Sequence, residues 1–285
     1  MGETGYADAV SAYYTVGDLG DTILASLRAA GLDPDALQVE DLAPLDQFHA
    51  GGVDATRALL RRAGLQPGMH VLDVGGGLGG PARLLAYEAG CTVTVLDLSE
   101  EFCQVGELLT ARVGLSDRVD FQHGSALALP FAGGAFDVVW MQHATMNIAE
   151  KERLYREVHR VLRPGGRLAM QEAMAGPGGP LHVPVPWAGD ASISFLRPVA
   201  EIRALLADIG FRALNWVDER DAALSGLPAP GEPPSGPRPF ATLVLGPRLP
   251  EMQRNVARNL REDRLTLVQA VFERPGVATK RQPPA

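Results

Sequence analysis

Apolar positions along this chain of 285 residues follow two rhythms. MHVLDV (69–74), TVTVLD (92–97), RVDFQ (118–122), FDVVWM (136–141), RLAMQE (167–172), FRALNWV (211–217) and LTLVQAVFERP (265–275) are short, rich in β-branched or aromatic residues, and predict strands. Asp54–Arg62, stopping at Gly64, then Pro81–Ala89, Glu101–Val113, Lys151–Leu162 and Val199–Ile209 repeat their apolar residues at three and four, and predict helices. Near-continuous apolar strands alternating with helices need cover on both faces. The pattern therefore predicts an α/β fold, a doubly wound sheet of mostly parallel strands.

The ends of the chain read differently. Tyr6–Tyr14 and Asp21–Ala30 have helical spacing, broken by Gly31 and Pro34, so residues 1–50 are expected to form a helical lid on a main domain spanning 51–275. Insertions near 176–197 and 225–262 are expected to cap the substrate. SGLPAPGEPPSGPRP (225–239) holds too much Pro and Gly for regular structure, and residues 276–285 are expected to be a disordered tail.

Composition narrows the classes. With 46% hydrophobic and 21% charged residues the chain can bury a sizeable core, and its net charge of −8 argues against a nucleic-acid partner. Cys91 and Cys103 lack a CxxC spacing and read as buried reduced thiols. MGETGYADAV carries no basic region followed by an apolar run, and no stretch is apolar enough to span a bilayer, so a cytoplasmic location away from membranes is expected. No histidine pair has a metal-ligand spacing, so no metal is expected. A homo-oligomer stays open.

The chemistry begins at VLDVGGGLGG (71–80), where the first strand should turn into a helix and where sheets of this kind bind ligands. Gly75, Gly77 and Gly80 fit the dinucleotide pattern GxGxxG, while Asp73, Gly75, Gly77 and Gly79 fit the acid-x-G-x-G-x-G pattern of S-adenosylmethionine binding. An acid inside the strand suits a cationic amine better than a pyrophosphate. Asp97, 22 residues past Gly75, can accept from both hydroxyls of a ribose in either reading, or simply cap the next helix.

FDVVWMQHATMNI and YREVHRVLRPGGRLAMQE separate these readings, because they resemble the fourth strand, its helix and the LRPGG turn of class I methyltransferases, with Pro164, Gly165 and Gly166 leading into the fifth strand. HAGGVDATRALL and GSALALPF add a resemblance to small-molecule enzymes of the sarcosine/dimethylglycine and phosphoethanolamine N-methyltransferase kind, running from about Asp46 to Val217. The resemblance implies a Rossmann-like methyltransferase fold with a seven-stranded sheet. It implies S-adenosyl-L-methionine as cofactor and S-adenosyl-L-homocysteine as product. The methionine moiety would lie at Gly75, Gly76, Gly77 and at Gly51 and Gly52, the ribose at Asp97, the adenine near Leu98, Ser125 and Ala126, and the sulfonium beside Gln142. Ser125 departs from the family, which often has an acid there for the adenine amino group.

The second departure concerns catalysis. Where the phosphoethanolamine group has acid-Ala-x-x-His, this chain has His143-Ala144-Thr145-Met146-Asn147. Geranyl diphosphate C-methyltransferases resemble the segment too, with a glutamate base at the position of His143. His143 is therefore either the base or a loop residue that hydrogen-bonds the cofactor. His49 is the second catalytic candidate, and Tyr13, Tyr14 and Trp187 are candidates for the acceptor pocket. The expected function is methyl transfer to a small molecule at N, O or C. A non-methylating protein of the same fold, a cyclase or a regulator, is the alternative, and a nicotinamide-dependent oxidoreductase is a more distant one.

Overall fold

The computed structural model describes residues 9–10, 12–14, 17–225 and 239–276. The expected tail from 277 onward and most of the Pro/Gly-rich stretch lie outside the described residues. Residues 9–10 and 12–14 are helical, and they are followed by α1 (Leu19–Ala29), α2 (Val39–Asp46) and α3 (Gly52–Ala63). Then come β1 (His70–Val74), α4 (Gly80–Ala89), β2 (Thr92–Asp97), α5 (Glu100–Arg112), β3 (Val119–His123) and β4 (Phe136–Gln142). The chain continues through α6 (Lys151–Val161), β5 (Leu162–Ala175), α7 (Val199–Ile209), β6 (Arg212–Asp218), α8 (Arg220–Ser225), α9 (Pro239–Leu245), α10 (Leu249–Arg261) and β7 (Leu265–Glu273).

All seven expected strands form one sheet in the order β3-β2-β1-β4-β5-β7-β6. Pairs among β1 to β5 are parallel, whereas β7 runs antiparallel between β5 and β6. Side-chain alternation gives the sheet two apolar faces. Leu72, Val139, Met141, Leu168 and Met170 pack with Leu154 and Val158 of α6 and Leu206 of α7. Val71, Val95, Val138, Trp140 and Ala169 pack with Leu59 and Ala63 of α3 and Leu85 of α4. In α6 the buried residues are Lys151, Leu154, Tyr155, Val158 and Val161, the stripe that a helix lying on a sheet requires.

The order reverses between β1 and β4, and the space beyond these strand ends is where sheets of this kind bind ligands. The N-terminal helices pack beside the turn that follows β1. Leu19, Ile23 and Leu27 of α1 and Leu42 and Leu45 of α2 share a core with Leu78 and with Phe102, Val105 and Leu109 of α5. Asp46, at the end of α2, accepts from the Arg83 guanidinium at 2.7 Å, and both side chains are almost wholly buried. That guanidinium also donates to Leu78 O at 2.6 Å, the Thr110 hydroxyl at 2.8 Å and Gly106 O at 3.3 Å. The expected break in the chain after Ala30 is present, but α2 follows it and had no strong periodic signal. Cys91 and Cys103 are free buried thiols, with burial as the main force pushing them up to about 11 and about 12. Among the described residues no helix is long and apolar enough to cross a membrane.

Candidate functional site

Asp73 is the polar member of β1, pairing with Val95 and Trp140 in the neighbouring strands. It is 1% exposed, and its Oδ2 has no hydrogen-bond partner. Burial, and then the nearby Asp97, push its carboxyl up to about 8. The turn that follows wraps this carboxylate. A Cβ on Gly76 would stand 2.6 Å from Asp73 Oδ2, and one on Gly75, at φ +69°, would stand 2.7 Å from the Ala144 Cβ. Only glycine permits both approaches.

Asp97 ends β2, where its Oδ2 accepts from the Gly77 N–H and its Oδ1 from the Ser99 N–H, each at 2.9 Å. Burial still raises its pKa. Each oxygen keeps acceptor capacity, since a carboxylate offers about four lone-pair sites. Leu98 follows, and its carbonyl is 3.2 Å from His123 Nε2. The β3 loop lies alongside, with the Gly124 N–H donating to Asp97 O at 2.9 Å. Ser125 Oγ accepts from the Leu127 N–H at 3.2 Å, and Ala126 packs on the core.

Gln142 ends β4 with its side chain tied into the protein. Its Oε1 accepts from Trp140 Nε1 at 2.7 Å and from the Thr56 hydroxyl at 3.3 Å, and its Nε2 donates to Gln171 Oε1 at 2.7 Å. Gln171 Nε2 in turn donates to Ala50 O and to Glu219, both at 3.0 Å. This holds the entrance to α3, where Gly51 is the N-cap and Gly52 the first residue. Thr56 also lies 2.8 Å from Gln47 Oε1 and 3.0 Å from His49 Nε2, while His49 Nδ1 is 3.3 Å from Ala50 O.

His143 comes next, with φ +51°, in the left-handed region that non-glycine residues seldom occupy. Its N–H donates to Gln171 O at 2.8 Å, and its buried Nε2 has no partner. The His49 and His143 rings face each other with centroids 6.3 Å apart. Burial drives the His143 pKa down to about 3, helped by His49, and burial drives His49 down to about 4. Both imidazoles are neutral near pH 7.

Asn147 links this turn to the segment that carries Trp187 and Ile193. Its Nδ2 donates to the carbonyls of Trp187 and Ile193, both at 2.8 Å, and its Oδ1 accepts from the Tyr14 hydroxyl at 3.2 Å. Tyr13 stacks edge-on against Tyr14 at 5.1 Å, and its hydroxyl lies 3.4 Å from Pro186 O. The indole of Trp187 is 4% exposed, packs with Met146, Val185 and Leu260, and donates to Ser194 Oγ at 3.0 Å. It is therefore an interior packing residue. Thus His49 and His143 meet, Tyr14 reaches the same turn, and Trp187 contributes its backbone carbonyl to it.

Sequence reasoning missed Thr56, Gln171, Glu172 and Lys151. Glu172 is fully buried under α6, with burial as the main force raising its carboxyl to about 7. It was detectable as an acid inside an apolar strand. Among the described residues no cluster of His, Cys, Asp and Glu suited to a metal ion occurs.

Two carboxylates and a glycine turn thus stand together at the ends of the adjacent strands β1 and β2. Residues 72–170 match the family model described as a methyltransferase domain. The chain is 35% identical over 164 residues to "Methyltransferase GfsG" of Streptomyces halstedii, covering 55% of this chain and 57% of that one. It is 30% identical over 179 residues to a sarcosine/dimethylglycine N-methyltransferase of Halorhodospira halochloris, covering 63% of each. The chain thus spans 57% and 63% of the length of these relatives. Among solved structures, geranyl diphosphate C-methyltransferase from Streptomyces coelicolor A3(2), bound to S-adenosyl-L-homocysteine, superposes with a TM-score of 0.69 at 19% identity over 96% of this chain and 99% of that one. The [4+2]-cyclase SpnF superposes with a TM-score of 0.63 at 24% identity over 79% of this chain and 81% of that one.

Proposed function

We propose that the protein transfers the methyl group of S-adenosylmethionine to a small-molecule acceptor. The observation that carries this reading is the orphaned Oδ2 of Asp73: a buried carboxylate oxygen without a donor, beside a glycine turn, is matched by a cationic amino-acid head and mismatched by a pyrophosphate. Asp97 then has the acceptor capacity for two ribose hydroxyls, and Leu98, Ser125 and Ala126 flank an adenine. Gly51 and Gly52 follow Ala50, whose carbonyl Gln171 holds beside Gln142, and would meet the methionine part of the donor. When bound, the sulfonium supplies an electrophilic methyl group for in-line displacement.

The residues around that methyl mainly position and exclude water. Asn147 and Tyr14 hold the N-terminal helical residues against the cap, which shields the reacting centre. His143 offers the lone pair of a neutral imidazole to an acceptor proton. With its pKa near 3 it orients that proton well but is a weak sink for it. Positioning therefore carries most of the rate. A base this weak, with asparagine at position 147, also supports the alternative of a non-methylating protein on the same fold.

Calorimetry tests the cofactor reading: S-adenosylhomocysteine should bind the wild-type protein and NADH should not. Saturable NADH binding in its place would overturn the proposal. Incubation of the protein and S-adenosylmethionine with candidate acceptors should then raise one acceptor's mass by one methyl group, while an isomerised product of unchanged mass would select the alternative.

A further inference from the structure

Beneath the turn that carries His143, two buried charges grip opposite sides of the backbone. Glu172 accepts from the Ala144 N–H at 3.2 Å, from the Thr145 N–H at 3.2 and 3.3 Å, and from the Thr145 hydroxyl at 2.9 Å. Lys151 Nζ donates to the carbonyls of Thr145 and of Ile148, the latter at 2.7 Å. Both side chains are buried, at 0% and 2% exposure, and neither has a solvent-facing task. Burying two charged groups carries a desolvation cost, which their hydrogen bonds to the turn offset only while the turn keeps this conformation.

That conformation touches both halves of the site. Ala144 packs so closely on Gly75 that no side chain fits between the turn and the glycine loop. Three residues on, Asn147 holds Trp187, Ile193 and Tyr14. A rigid segment with one end on the donor loop and the other on the cap transmits a shift between them, and a loose one does not.

We propose that Glu172 and Lys151 are positioning residues that make the 143–148 turn a rigid connector, so that occupancy of the glycine loop tightens the cap over the acceptor. The proposal rests on the methyltransferase reading for the identity of the donor, but the clamp itself is defined by this chain alone. Glu172→Gln keeps the shape, replaces one acceptor oxygen by an NH2 group that faces the Thr145 donors, and leaves Lys151 without its counter-charge. Thr145→Val is the milder companion, since it keeps both charged groups and removes only the hydroxyl, which meets Glu172 at 2.9 Å and also contacts the buried Tyr155.

Hydrogen exchange on the full chain, with and without S-adenosylhomocysteine, reads the connection. In the wild type the ligand should slow exchange both in 75–80 and in 185–195. In either variant exchange in 143–148 should speed by about tenfold or more without ligand. Protection by ligand should then persist at 75–80 and fall away at 185–195. A turn that keeps wild-type exchange, or a cap still protected by ligand in the variants, would overturn the proposal. If Glu172→Gln does not fold, Thr145→Val decides alone. If S-adenosylhomocysteine protects nothing in the wild type, the donor reading fails, and the ligand-free exchange of 143–148 still tests the clamp.

Discussion

Replacing Asp73 by Asn tests the electrostatics of the donor pocket through protons. Burial and Asp97 push the Asp73 carboxyl from 3.8 up to about 8. At pH 7 the ligand-free carboxyl is therefore mostly protonated. A cationic amine seated against Oδ2 favours the carboxylate and drives that proton off. S-adenosylhomocysteine binding at pH 7 should thus release close to one proton, read as the slope of calorimetric enthalpy against the ionisation enthalpy of the buffer. In Asp73→Asn that slope should vanish. Affinity should fall by about 10- to 150-fold, the worth of a hydrogen bond to a charged group at roughly 1.5–3 kcal/mol. The sign for stability follows the same shift. Because the folded pKa lies above the unfolded one, the folded chain holds more protons between about pH 4 and pH 8, so ligand-free stability declines as pH rises through that window. The asparagine variant should lack that part of the decline. Tight binding with no proton release, or an asparagine variant that binds like the wild type, would refute the reasoning.

Asp97→Ala should weaken S-adenosylhomocysteine by at least about tenfold, since two charge-assisted bonds of roughly 1.5–3 kcal/mol each are at stake; calorimetric affinity equal to wild type would reduce Asp97 to a loop-capping acid. His143 and His49, held near 3 and 4, should show no imidazole titration by NMR between pH 5 and 8, and a midpoint near 6.5 for either would contradict the burial that sets them. The unfolded chain takes up protons below about pH 6.5 that these two rings refuse, so stability should fall with acid, and His143→Gln should remove part of that fall in a denaturant series. Asp46→Asn strands a buried guanidinium and should cost about 3–5 kcal/mol in unfolding free energy, visible as a lowered denaturant midpoint; a loss under about 1 kcal/mol would mean the pair is dispensable.

The strands were legible because burial on both faces leaves runs such as TVTVLD and FDVVWM with no polar phase to confuse. The antiparallel insertion of β7 was not, since LTLVQAVFE has the same apolar texture whichever neighbour it joins. The helices α2 and α10 escaped for a different reason: Pro44 interrupts VEDLAPLD, and LPEMQRNVARNLR follows a segment dominated by proline. Asp73, Asp97 and the glycines were legible because their roles depend on local sequence, a strand end and a tight turn. Glu172 and Lys151 act on a turn 27 and 6 residues away in sequence, and only the three-dimensional arrangement joins them. The depressed histidines were hidden for the same reason. His49 and His143 lie on separate elements, and nothing in either segment announces that their rings face each other.

The position of β7 bears on how this chain comes into being on a ribosome. Strands β1 to β5 can assemble as they emerge, but β6 waits for residues 265–273, because among the described residues its one neighbour in the sheet is β7. Until then β5, which is buried along most of its length, presents an open edge, and β6 waits as an unpaired ribbon tethered through α7. Each is a template for another chain in the same state. The last strand to be made is thus the one that seals two vulnerable edges at once, and the interval before its arrival is when nascent copies are most exposed to one another.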